Sequence, residues 1–265
     1  MEPKVKVALP FPSCVRALCR PLLAIICGLT FASQTPHLMA QTAVPNPAAS
    51  DIVQIVQQLV EHNAARAEQL SYYVSRRRYH LEYRGFPSTM EATLDAEITY
   101  DAPVKTFRVL SESGSRTLIN HVLLRLLASE QQAAGDPRKS ALTPDNYRFM
   151  LLGATIESGR KLYILQVDPK SSRKFLYRGK IWVDGDDYAV VRIEAQPAEN
   201  PSFWIRDTQI RHIYEKQGNY WLPKHNVSVT KVRMGGTATL TIDYENYNYV
   251  RAVDSALQPS SEPAQ

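Results

Sequence analysis

The chain has 265 residues, 44% of them hydrophobic and 22% charged, with a formal net charge of +5. Its three cysteines, Cys14, Cys19 and Cys27, all stand before position 28, which excludes a disulfide framework, a thiol nucleophile or a cysteine metal site from the remainder. Four basic residues and one acidic residue precede position 41, leaving 27 basic against 25 acidic, a balance that does not suit a nucleic-acid binder.

Lys4, Lys6, Arg16 and Arg20 make a basic leader, followed by the apolar run from Leu22 to Ala32 and the small residue Ala40. That order is the secretory signal pattern. The run is 11 residues long, well short of the roughly 20 that cross a bilayer as a helix. The expectation is an exported chain cut after Ala40, soluble once the leader is removed. Ile26 before Cys27 and Leu18 before Cys19 speak against a lipid-modified cysteine, which needs a small residue at that place. Residues 1–40 then form the signal peptide, 41–50 a Pro- and Ala-rich linker, 51–250 one domain, and 251–265 a disordered tail.

Ser50 or Asp51 can cap a helix in which Ile52, Ile55, Val56, Leu59 and Val60 recur at helical spacing, predicting an amphipathic helix to about Gln69. The period then changes to two. From Ser71 to Arg84, Tyr73, Tyr79, Leu81 and Tyr83 fall on one side, with Arg76, Arg78, His80 and Glu82 on the other. Met90, Ala92, Leu94, Ala96, Ile98 and Tyr100 alternate with polar residues, the pattern of a half-buried strand. After the turn Asp101-Ala102-Pro103, Lys105 to Leu110 reads as the returning strand. A second helix pattern runs from Leu118 to about Gln132. Leu118, Val122, Arg125 and Leu126 share one side, Ile119, Leu123, Leu127 and Glu130 lie beside it, and Leu124 widens the apolar surface.

Beyond the polar loop 134–140, nearly everything reads as strand and turn. The predicted strands are 147–156, 161–167, 175–183, 188–195, 207–214, 224–233 and 237–249. Joints such as Ser158-Gly159, Asp184-Gly185-Asp186-Asp187 and Gln217-Gly218-Asn219 mark antiparallel hairpins. The class is α+β, mainly antiparallel β, with about ten strands in meander order. Alternation over so many strands implies one large curved sheet with a dry face. Two helices are too few to cover it, so the rest either curls closed or is left as a cavity.

The hairpin Phe175-Leu176-Tyr177-Arg178-Gly179-Lys180-Ile181-Trp182-Val183-Asp184-Gly185-Asp186-Asp187-Tyr188-Ala189-Val190-Val191-Arg192-Ile193-Glu194 carries a Trp-Val strand, an aspartate turn and a Val-Arg-Ile strand. Together with Tyr220-Trp221-Leu222-Pro223 and the element order over about 50–250, it resembles the outer-membrane lipoprotein-sorting proteins. These are the LolA/LolB-like group, with the related periplasmic sensor domain of the RseB type. The resemblance implies an unclosed β barrel whose helices cap an apolar concave face, a periplasmic location, and binding of the acyl chains of a lipid or lipoprotein. No single one of Arg76, Arg77 and Arg78 matches a functional arginine of that group.

Signals for chemistry are sparse. His62, His80, His121, His212 and His225 are isolated and form no ligand pair, and no phosphate loop, dinucleotide fingerprint or nucleophile elbow occurs. Asp184, Asp186 and Asp187 lack calcium-loop spacing and read as a hairpin turn. The chain reads as a binder without cofactor or metal. Met90, Leu94, Ile98, Leu123, Leu127, Leu240 and Ile242 are the expected apolar lining. Arg76 and Arg78 are the expected grip on an acidic headgroup or an acidic partner. The competing reading is an envelope protein–protein interaction module with no lipid ligand, using the Arg76–Arg78 face. An enzyme would need a polar cluster that the sequence does not advertise.

Overall fold

The computed structural model describes residues 47–102, 104–134, 137–173, 175–199, 205–233 and 235–250, all within one unit, Val44–Gln265. The expected signal peptide, its cleavage after Ala40 and the C-terminal tail lie outside these residues. Helix α1 (Pro47–Gln69) begins inside the expected linker, three residues before Ser50. Proline suits a first helical position, where its missing N–H would have no partner anyway.

Ten strands follow: β1 (Tyr72–Arg84), β2 (Met90–Asp101), β3 (Val104–Gly114), β4 (Tyr147–Glu157), β5 (Arg160–Pro169), β6 (Tyr177–Asp184), β7 (Val190–Pro197), β8 (Ile205–Gln217), β9 (Tyr220–Val232) and β10 (Thr237–Val250). Their order in the sheet is β3-β2-β1-β10-β9-β8-β7-β6-β5-β4, and every pairing is antiparallel. Hairpins make all neighbours except β1 with β10. The edges β3 and β4 are consecutive in the chain yet lie at opposite ends, so the sheet is curved but unclosed.

The segment between those edges carries the inserted helix, built of α2 (Arg116–Leu118), a π turn (Ile119–Leu123) and α3 (Leu124–Ala134). Gly114 permits the exit from β3. Its φ is +88°, and a Cβ there would stand 2.4 Å from the Glu91 carbonyl oxygen. Ser115 then caps α2, its side chain accepting from the Leu118 N–H. The wider π turn directs Ile119, Leu123 and Leu127 into the core, while Val122 and Leu124 stay exposed.

Two apolar cores result, one under each helix. Ile55, Val56 and Leu59 of α1 pack on Leu165, Val167, Ile181, Val183 and Ile193. Ile119, Leu123 and Leu127 pack on Tyr79, Leu81, Leu94, Ile98 and Ile242. The register explains the second core: Tyr79 stands opposite both Leu94 and Ile242, and Leu81 opposite both Ala92 and Leu240. A bulge in the β1–β10 ladder, with Asn246 at φ +54°, shifts the alternation of β10 by one residue. Tyr247 therefore joins Tyr244 on the concave side and meets Tyr73 at 5.9 Å between ring centroids.

Two predicted strands start later than their sequence suggests. Phe175 (φ +75°) and Tyr188 (φ +47°) adopt left-handed backbone, which ends extended pairing at those points. The aspartate turn between β6 and β7 is a structural clasp. Asp184, fully buried, accepts from Arg160 and from the N–H groups of Asp186 and Asp187. Asp187 accepts from Arg160, Lys216 and Trp221 Nε1. Arg66 in the last turn of α1 donates to the carbonyls of Asp187 and Tyr188, pinning the helix to the turn.

Candidate ligand-binding site

Because the sheet does not close, α1 covers its concave face only up to the β4 edge. The flank of α1 and the start of β4 bound an open cavity of about 690 Å³, within the range of small-molecule sites. Ile52, Val53, Val56 and Val60 form one wall, and Tyr147 and Phe149 the other. Gln57, Glu61, Arg148 and Lys170 supply its polar atoms. An apolar trough with two cations beside it suits a chain-like ligand bearing an acidic end.

Between the two cores the concave face changes character. Arg77 on β1 points inward and donates to Glu130 of α3 at 2.6 Å. Its guanidinium lies 4.7 Å from the Tyr244 ring centroid, and His212 stacks on Tyr214 at 4.5 Å and on Tyr244 at 5.8 Å. Burial opposes the charge on Arg77, but Glu130 and the surrounding tyrosines outweigh it and hold the pKa above its ordinary value. Burial lowers the His212 pKa to about 4, with Arg77 and His225 adding to the effect, so this imidazole is neutral near pH 7. Burial likewise raises Tyr214 to about 12.

The expected lining residues fall into three groups. Leu94, Ile98, Leu123, Leu127 and Ile242 are buried beneath the inserted helix. Met90 and Leu240 are half-buried against the same core, and Ser115 Oγ contacts Met90 Sδ at 3.8 Å. They come together as one packed cluster, away from the open trough. Arg76 and Arg78 are exposed on the opposite face of β1, where Arg78 pairs with Asp95 at 2.9 Å and a shallow recess includes Leu110, Ser111 and Glu245.

From sequence, Arg77 stood only as one of three competing arginines, with Arg76 and Arg78 the expected grip, and the trough residues of β4 were not picked out. For Arg77 the signal was present, since it shares parity with Tyr73, Tyr79 and Leu81 on a period-two strand. For the trough the apolar face of α1 was visible, but which strand it would flank was not. Among the described residues, no group of three His, Cys, Asp or Glu side chains is placed to hold a metal ion. No described helix is long and apolar enough to cross a membrane.

A family of unknown function, DUF5686, matches residues 140–249, the stretch from the loop before β4 through β10. No curated protein sequence matches the chain. Among solved structures, the chain is similar to a DUF1329 family protein from Desulfovibrio piger, with 13% identity, a TM-score of 0.39, and coverage of 79% of this chain and 98% of that one. It is also similar to a protein from Vibrio parahaemolyticus described as an outer-membrane lipoprotein-sorting domain, with 10% identity, a TM-score of 0.37, and 79% and 95% coverage. A LolA superfamily protein from Nitrosomonas europaea follows, with 10% identity, a TM-score of 0.34, and 77% and 97% coverage.

Proposed function

We propose that this chain is a periplasmic binding protein, a carrier or sensor, that holds an acyl chain of a lipid or lipoprotein in the trough between α1 and β4 and performs no catalysis. The observation that carries the reading is an apolar cavity of about 690 Å³ at the unclosed edge of the sheet. Apolar walls supply affinity at about 0.8 kcal/mol for each buried CH₂. Arg148 and Lys170, both exposed beside the opening, give an acidic headgroup two partners at the water boundary. The leader-like start of the chain is consistent with export, and the residues expected beneath the inserted helix would join such a site only if that helix lifted. The test is uptake of a fluorescent fatty acid by purified protein. Saturable uptake supports the reading, and no uptake at micromolar protein and probe contradicts it.

A second reading, an envelope protein–protein interaction module, draws support from the open edge β4, where Met150 and Ile156 are 56% and 75% exposed, and from the exposed Arg76 and Arg78 on the opposite face. A salt-sensitive complex with an envelope protein, abolished by Arg76→Glu and Arg78→Glu, is its mark. A complex indifferent to both substitutions removes that role for the arginines.

A further inference from the structure

We propose that the chamber bounded by Tyr73, Tyr100, Lys105 and Glu130 is a separate binding site for a small anionic group, a carboxylate or a phosphate, with Lys105 as its direct ligand. The chamber holds about 370 Å³ and lies beside the C-terminal end of α3. Tyr73 and Tyr100 wall it with rings 5.2 Å apart. Among the described residues, Arg77 takes up the Glu130 carboxylate at 2.6 Å, while Lys105, which lines the chamber, makes no hydrogen bond or ion pair.

Arg77 Nε is buried without a hydrogen-bond partner, on a side chain only 4% exposed. Arg77 does not itself line the chamber, so its positive charge acts on an entering anion through space and Lys105 alone offers it a direct cationic contact. Burial lowers the Lys105 pKa to about 8, with Arg77 adding to the effect and Glu130 opposing it. A lysine held in that state gains from any anion that enters. The tyrosines bordering the chamber bring apolar ring faces and hydroxyl donors, a setting for an anionic group attached to a larger body. This site does not depend on acyl binding in the trough.

The test titrates the full protein with octanoate, octyl phosphate and inorganic phosphate at pH 7, and repeats the titrations on Lys105→Met and on the exposed control Lys231→Met. Loss of a charge-assisted contact weakens binding about tenfold or more. The expected result is such a loss in Lys105→Met alone, with octyl phosphate protecting Lys105 from amine acylation in peptide mass spectra of the unaltered chain. Binding of inorganic phosphate marks a free ion as the source, and binding of the octyl compounds alone marks a headgroup. Equal affinity in Lys105→Met and the unaltered chain, an absence of binding by all three probes, or an unprotected Lys105 overturns the proposal.

Discussion

Arg77 of β1 and Glu130 of α3 join at 2.6 Å across the concave face, with 4% of the arginine side chain and 23% of the glutamate side chain exposed. This pair ties the far end of the inserted helix to the middle of the sheet, while Ser115 caps the near end. Tyr79 Oη stands 3.4 Å from Arg77 Nη1, so the pair is embedded in aromatic surroundings rather than water.

Removing one partner leaves the other charge stranded. Glu130→Leu is expected to destabilise the fold by about 3–5 kcal/mol, and the double variant Arg77→Met/Glu130→Leu to recover much of that loss. Urea denaturation of the four members of this cycle measures it. A double variant as unstable as the sum of the single ones contradicts the pairing.

His212 gives a pH dependence of defined sign. Its folded pKa of about 4 lies below the ordinary value of 6.5, so between those values the unfolded chain binds more protons. Stability therefore falls as pH drops from 6.5 toward 4, by roughly 1.4 kcal/mol for each unit at most. His212→Phe is expected to flatten that slope, read as Tm against pH. A slope that survives the substitution assigns it to other groups.

Lys105 works in the same direction at the alkaline end. Its folded pKa of about 8 is below the ordinary 10.5, so its burden on stability is complete below pH 8 and fades as pH rises toward 10.5. Lys105→Met is expected to raise Tm at pH 7, with the gain shrinking above pH 9. A variant less stable than the unaltered chain at pH 7 contradicts this account.

The aspartate turn is expected to be intolerant of change. Burial disfavours the charge on Asp184, but hydrogen bonds from Arg160 and from the N–H groups of Asp187 and Asp186 outweigh it and lower its pKa. Asp184→Ala removes a buried acceptor of several donors and is expected to cost about 3 kcal/mol, lowering Tm by several degrees. A shift within 1 °C, on the scale of an exposed substitution, argues against the clasp.

Most of the fold was legible because half-buried antiparallel strands state their period locally. Met90 to Tyr100 and Thr237 to Tyr244 alternate so regularly that their inward residues needed no tertiary knowledge. The inserted helix was legible as apolar, and Leu123 and Leu127 were expected to face inward. The structure buries them with Ile119 and Leu118 while Val122 is exposed, and the π turn within that helix has no clear local signature. The site was harder to read for a related reason. Leu94, Ile98 and Ile242 announce an apolar face, yet whether a helix seals that face depends on where the chain crosses from β3 to β4. The crossing puts the inserted helix over them and leaves α1 beside the open edge.

The proposed seat for an acyl chain is tested most directly by paramagnetic broadening in ¹⁵N-labelled protein titrated with a spin-labelled fatty acid. The account predicts broadening centred on the amides of Val53, Val56, Val60 and Phe149, relieved when Val60→Trp fills the trough. Broadening centred instead on Leu123 to Ala134, or none under saturating ligand, contradicts it.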